Sequence, residues 1–273
     1  NEDDSIDIVM DDFVIRDEDT YDEEAFSIEI SSVENNYALS FDGQDDEVKV
    51  SGTDFIGGND PRTISVWAAG QGGNIVSLGD GLTANRRFSI LVDASGYLRI
   101  IGESNDWGTN YYLPADVLTH IVVKHDGNET VSLYVNGTLF GEASRDYATE
   151  ADAPVMIGTN TDNRNDEYFQ GIIDDVSVWR VALSDADIQQ LYENQNSIWN
   201  ISNSNDLMAY WNFNEGSGSS LGDGSGNQYH GEISGAVWQL LESSNRDDFV
   251  ITAIEDGFKI VPNENFYGQI PLV

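Results

Sequence analysis

The sequence predicts an all-β fold in which a large antiparallel sandwich interrupts a smaller one. Short runs of β-branched and aromatic residues alternate with polar ones at the spacing of a meander, with Gly, Asn and Asp between them. Helix signals gather at one place, where Ser184 can cap, Asp185 and Asp187 fill the first turn, and Ile188 and Leu191 supply an apolar stripe. The two ends of the chain read as complementary strand sets, each too small to close a sandwich alone.

Residues 1–36 alternate at Ile6, Ile8 and Met10, then Phe13 and Ile15, then Phe26, Ile28 and Ile30, giving three short strands between acidic turns. Residues 244–273 supply the missing part, with Phe249-Val250-Ile251, Phe258-Lys259-Ile260 and a final strand after Gly268. The expected organisation is therefore a split domain, 1–36 and 244–273, around an insert spanning 37–243. The rival arrangement is two truncated neighbours flanking the insert. Within the insert, Ile75–Leu78, Phe88–Val92 and Tyr97–Ile101 read as strands, and Asp126-Gly127 and Asn136-Gly137 as hairpin turns. Helix is confined to 184–193. Residues 172–179 alternate with period two, which places Asp174 on the face of Val176 and Val178. A carboxylate among aliphatic side chains needs a partner, and a cation would serve. Trp67, Trp179 and Trp211 fall in strand patterns and are expected in the core.

Several of these stretches carry a resemblance. Gly171-Ile172-Ile173-Asp174-Asp175-Val176, followed by Trp179 and Ala182-Leu183-Ser184, resembles the closing motif of laminin-G-like, concanavalin A-like jelly-roll modules of bacterial surface proteins. Tyr37–Gly43 with Asp45 and Asp46 resembles their opening strand, Thr63–Trp67 the next, and Leu118–Val123 with Val131–Gly137 their central hairpin. Leu207–Gly218, Asp223–Asn227 and His230-Gly231 are similar to the segment that usually opens such modules, and here they close it. The flanks, with Asp17 and Asp19 and the stretch Asn265-Phe266-Tyr267-Gly268, resemble cadherin-like, immunoglobulin-like repeats of giant RTX-type adhesins. The resemblance implies a concanavalin A-like antiparallel jelly-roll sandwich inserted in a smaller cadherin-like β-sandwich. It also implies an extracellular, bacterial cell-surface setting, neighbouring adhesin repeats as partners, and Ca²⁺ at the acidic clusters.

A formal charge of −37, from 49 acidic and 12 basic residues, excludes binding to nucleic acid phosphates or an anionic membrane surface. Bound Ca²⁺ or simple salt adaptation would each account for so much charge. There are no cysteines, hence no disulfide framework. No apolar run reaches the ~20 residues a membrane span needs. The absence of a signal peptide and the abrupt ends point to a monomeric fragment of something longer. Sequons occur at Asn128, Asn136 and Asn200, each also explained as a turn.

Candidate Ca²⁺ ligands are Asp42 and Asp45 on one glycine-bearing turn, Asp223 and Asn227 on another, Asp174 as the inward acid that could meet either, and Asp17 and Asp19 in the flank. The alternative is that these are solvated turns. Catalysis is not expected: Asp174 and Asp175 are adjacent, no glutamate pair alternates along an aromatic strand, and His120, His125 and His230 form no nucleophile or zinc spacing. Carbohydrate is the expected ligand, on two stretches. One places Trp107, Asn110, Tyr111 and Tyr112 together; the other is a long oxygen-rich loop with Asn160, Asp162, Asn163, Asn165 and Asp166. A lectin would expose Trp107, Tyr111 and Tyr112 together near residues 158–168. The competing readings are a Ca²⁺-stiffened spacer, with those aromatics in the core, and a protein-binding module.

Overall fold

A computed structural model describes residues 7–8, 36–52, 56–79, 83–161, 167–193, 198–241, 249–254 and 257–262. Two compact units divide the chain, one made of Asn1–Glu34 with Glu242–Val273 and the other of Asn35–Leu241. In chain order, β1 (Asp7–Ile8) belongs to the first unit. The second begins with β2 (Tyr37–Asp42), β3 (Glu47–Val50), β4 (Arg62–Gln71), β5 (Gly73–Gly79), β6 (Arg87–Val92), β7 (Tyr97–Ile101) and β8 (Trp107–Tyr112). It continues through β9 (Thr119–His125), β10 (Thr130–Val135), β11 (Thr138–Ser144), β12 (Val155–Ile157), β13 (Gln170–Trp179) and α1 (Asp185–Glu193). It ends with β14 (Leu207–Trp211), β15 (Ser220–Leu221), β16 (Gly231–Ser234) and β17 (Val237–Leu240), after which β18 (Phe249–Ile254) and β19 (Gly257–Pro262) return to the first unit. There β19 lies between β1 and β18, with Asp7 opposite Lys259 and Phe249 opposite Pro262. The other strands read in the flanks lie outside the described residues.

The second unit is an antiparallel sandwich of two eight-stranded sheets. The first runs β11-β10-β9-β4-β13-β2-β17 with β14 also paired to β13; the second runs β15-β16-β3-β12-β5-β6-β7-β8. Between them alternate residues of both sheets interdigitate: Leu39, Ile64, Val66, Ile121, Val123, Ile173 and Val178 meet Val48, Val50, Ile75, Leu78, Phe88, Ile90, Leu98 and Ile100. Burying each of these side chains stabilises the fold by about 2 kcal/mol before entropy is counted. Strand β17 pairs with β2, and Leu241 N donates to Asn36 O at 2.8 Å, so the unit's two ends are adjacent.

The outer face of the first sheet is covered. Val122, Tyr134 and Trp179 project from it into a second apolar cluster with Leu183, Ile188 and Leu191 from the α1 region and Ile198 and Ile201 beyond it. Trp211 is in the inter-sheet core, whereas Trp179 belongs to this outer layer. Trp67, expected in the core, also faces outward, stacked on His120 (5.1 Å) and Tyr192 of α1 (5.9 Å). Among the described residues no helix is long and apolar enough to cross a membrane.

Helix α1 starts as its sequence dictates: Ser184 Oγ accepts from Asp187 N at 3.1 Å and donates to Asp187 Oδ2 at 2.7 Å. Asp187 further accepts from Ser202 N and Oγ and from Asn203 Nδ2, tying the loop after the helix to its first turn. Burial by itself would raise the Asp187 carboxyl, but the donors from Ser184, Ser202 and Asn203 outweigh it and hold the group below the usual range. Asp187→Ala is therefore expected to lose about 2 kcal/mol in urea unfolding near neutral pH. Because the folded value is depressed, this contribution is complete above the ordinary carboxyl value of 3.8 and disappears as pH falls through the folded value. The gap between wild type and variant should accordingly narrow in acid.

Candidate functional site

Among the described residues, the outer face of the second sheet has no helix layer. Along β6 and β7 the core-facing Phe88, Ile90, Leu98 and Ile100 alternate with outward Arg87, Ser89, Leu91, Tyr97 and Arg99. Arg87 is fully buried on this face under the loop that follows β12. Its guanidinium donates to Glu103 Oε1 and Glu167 Oε2, at 2.7 and 2.8 Å, and to Asn74 Oδ1. Glu167 Oε2 also accepts from Asn74 Nδ2 at 2.8 Å and from Asn160 Nδ2, and Ser89 Oγ donates to Asn74 Oδ1 at 2.7 Å. Asn160, expected to reach a ligand, is thus a buried anchor of its own loop. Asp162, Asn163, Asn165 and Asp166 lie outside the described residues.

The predicted aromatic group divides between two faces. Trp107 pairs with core-facing Ile100, so its half-buried ring packs toward the core and beside Gly141 of β11. Tyr111 is also half-buried against the core, edge-on to Phe140 at 5.1 Å. Between them β8 leaves the β7 register, and the exposed Asn110 takes a left-handed φ of 62°. Tyr112 alone points outward, where it meets Tyr97, a residue the sequence reading did not select. The three aromatics therefore form no common exposed platform. Parity from Tyr97 to Arg99 could have found the outward pair; the irregular register of β8 hid the rest.

The acidic residues also sort differently from expectation. Asp42, Asp45 and Asp46 bring carboxylate oxygens within 4.8 Å of one another in the β2–β3 turn. Asp42 caps that turn, accepting from Gln44 N at 2.8 Å and Gln44 Nε2 at 2.9 Å, while Asp46 Oδ2 accepts from Asp42 N at 2.7 Å. Asp46, the buried member, was not chosen from sequence although the Asp45-Asp46 doublet marks it. Burial raises its carboxyl above the ordinary value, the Asp42 N–H opposes this, and the charges of Asp42 and Asp45 add to it. Burial, with Glu47 and Asp45, likewise raises the Tyr168 phenol, placing the end of the β12–β13 loop close to this turn. Such a set suits a hard cation, with turn carbonyls completing six to eight oxygens.

Asp174 does not join it. Its strand partner is the outward-facing Trp67, whereas Gln170 is the residue opposite Asp42. The register slips between Asp174 and Ser177, with Asp175 at φ 48°, so the alternation that put Asp174 beside Val176 and Val178 is broken. Val176 still reaches the core, but Asp174 is buried on the outer side of the first sheet. Asp223 ties its turn to β14: Tyr210 N of that strand, Ser225 N and Oγ, and Tyr229 N all donate to it, at 2.8–3.0 Å. Asn227 is a staple, with Nδ2 donating to Leu207 O and Met208 O at 3.2 and 2.9 Å. Asp17 and Asp19 lie outside the described residues.

One arrangement resembles catalytic machinery. Ser65 Oγ and His120 Nε2 are 2.8 Å apart beside a cavity of about 20 Å³ lined also by Trp67, Asp175, Ser177, Leu191, Ile198 and Tyr210. His120 Nδ1 has no hydrogen-bond partner, so no carboxylate orients the ring, and burial pushes its pKa down to about 3. The space holds about one water molecule. An imidazole so weakly basic, with no carboxylate behind it and closed to substrate, is a poor activator of a nucleophile. His125 Nε2 meets Arg145 O at 3.1 Å, and His230 Nδ1 accepts from Asp223 N at 3.0 Å.

Residues 42–189, more than half of the chain, match the family profile of the concanavalin A-like lectin/glucanases superfamily. Over 94 residues the chain is 30% identical to the Homo sapiens adhesion G-protein coupled receptor D1, covering 33% of this chain and 10% of the receptor. Of solved structures, a candidate carbohydrate binding protein from Bacteroides ovatus superposes with a TM-score of 0.58 at 16% identity, over 77% of this chain and 61% of that one. A heptameric SAP-like pentraxin from Limulus polyphemus gives 0.47 at 17% identity, over 59% and 84%. At these identities the first likeness is one of fold.

The Arg87 network is open to a direct test. Arg87→Met leaves Glu103 and Glu167 without their buried counter-charge and is expected to cost about 3–5 kcal/mol in denaturant unfolding. Glu167→Gln, which keeps the shape and a donor-acceptor group, should cost less.

Proposed function

Given that the chain belongs to the concanavalin A-like lectin/glucanases superfamily, we propose that its sandwich is a non-catalytic, Ca²⁺-dependent carbohydrate-binding module. The observation that carries this reading is the asymmetry of the sandwich: α1 and its apolar cluster cover one outer face, and the other presents ordered polar and aromatic side chains. A rigid sheet with few, fixed polar groups is suited to orienting sugar hydroxyls. Asp42, Asp45 and Asp46 are the residues assigned to Ca²⁺. A divalent ion there would offset the burial, and the smaller repulsion from Asp42 and Asp45, that raise the Asp46 carboxyl.

In the same reading, the module serves adhesion at a bacterial cell surface, and the two flanks form one cadherin-like repeat. The pairing of β1 with β19 supports the latter, because it hydrogen-bonds the first flank to the last. A module without a ligand, acting as a Ca²⁺-stiffened spacer, is the alternative, favoured by the adjacency of the sandwich's two ends.

A glycan array probed in millimolar Ca²⁺ and again in chelator separates these. The lectin reading expects binding to a defined set of sugars in Ca²⁺ alone; silence in both conditions from folded protein favours the spacer. Ca²⁺ should also raise the melting temperature, and Asp46→Asn should abolish that rise. Because Asp46 is raised in the folded state, its ionised form costs stability above the ordinary carboxyl value of 3.8, and protonation relieves that cost as pH falls. Ca²⁺ competes with the same proton, so its stabilisation should fade as the medium is acidified.

A further inference from the structure

The end of the open sheet face beyond Arg87 carries a group of side chains that fold stability does not explain. Tyr97 and Arg99 are two apart on β7 and so stand on the same side, about 7 Å from each other. The intervening Leu98 and the following Ile100 are in the core, which fixes that direction. Opposite Tyr97 is Tyr112; the rings meet edge-on at 5.7 Å and 82°, and they remain 42% and 57% exposed. Opposite Arg99 is Gly108, and the space a side chain would occupy there is empty to 4 Å. The patch is therefore a shallow trough with an aromatic wall.

Its polar end is incompletely used. Among the described residues Arg87 is held by two carboxylates at 2.7 and 2.8 Å and is fully buried, whereas Arg99 has one ion-pair partner, Asp106 Oδ2 at 3.9 Å, and its side chain stays 40% exposed. Asp106 Oδ1 accepts from Gly102 N at 3.1 Å, which fixes the carboxylate so that Oδ2 faces Arg99. Gly96, at φ 85°, allows the Tyr112 ring to lie against the turn; a Cβ there would stand 2.5 Å from it.

We propose that Tyr97, Arg99, Asp106 and Tyr112 form a subsite for one neutral pyranose ring, a site that rests on the carbohydrate-binding reading above. The C–H face of the ring packs on the exposed phenol, as apolar surface does on aromatic rings. Hydroxyls on neighbouring carbons each donate and accept, so one receives from Arg99 while the next donates to Asp106. Acidic sugars are disfavoured. The chain's charge of −37 repels them, and Asp106 already offsets the local positive charge.

Saturation-transfer NMR on the full chain, in millimolar Ca²⁺, tests this with the methyl glycosides of glucose, galactose, mannose and fucose and with methyl glucuronide. At least one neutral glycoside is expected to bind and the glucuronide is not. Tyr112→Ala and Arg99→Ala should each weaken that binding about tenfold. Gly108→Ile, which places a side chain in open space and so leaves the fold intact, should block it. A neutral glycoside that binds all three variants as it binds wild type overturns the subsite while leaving the carbohydrate reading standing. Preference for the glucuronide overturns the neutral class. No signal from any sugar removes the carbohydrate reading and the subsite together.

Discussion

A sandwich of two large sheets has four faces and only two of them meet, so the remaining two must be covered or made polar. The rest of this structure follows from how each outer face is treated. On the first sheet Val122, Tyr134 and Trp179 project outward and are covered by Leu183, by Ile188 and Leu191 of α1, and by Ile198 and Ile201. On the second sheet the outward Ser89 and Arg87 are buried beneath Asn74, Glu103 and Glu167, which hydrogen-bond them, whereas Arg99 and Tyr97 further along remain partly exposed. The proposed ligand surface is the part of this second face left uncovered.

That second face also carries Arg87, one of the two fully buried arginines among the described residues. With 12 basic residues against 49 acidic ones, a buried arginine is a costly choice unless its charge is paired. Arg87 has a carboxylate on each side, and its partner Glu167 is in turn joined to Asn74 of β5 and to Asn160. The β12–β13 loop ends at Tyr168, close to the Asp45 and Glu47 carboxylates.

Much of the architecture was legible. Alternation located the strands that build the core, and Ser184 with Asp187 announced the helix and its cap. What parity could not supply was direction past an irregularity. The slip between Asp174 and Ser177 depends on Asp175 taking a left-handed conformation, which aspartate tolerates but does not signal. It moved Asp174 to the opposite face. The same limit applied at β8, where the register change around Asn110 turned Trp107 and Tyr111 to the core side and left Tyr112 outside. Arg87 and Glu167 are 80 residues apart, and no local pattern links them. Asp223 illustrates another limit: a carboxylate on a glycine-rich turn reads alike whether it binds a cation or, as here, accepts from backbone donors of its turn and of a neighbouring strand.

The most direct test of the account is a map of amide chemical shifts as a bound glycoside is titrated into the labelled chain. The account predicts that the perturbed amides cluster on β6, β7 and β8 and in the β7–β8 turn, with α1 and the strands beneath it unmoved. Perturbations centred on α1, or on the β10–β11 edge away from that face, would contradict it.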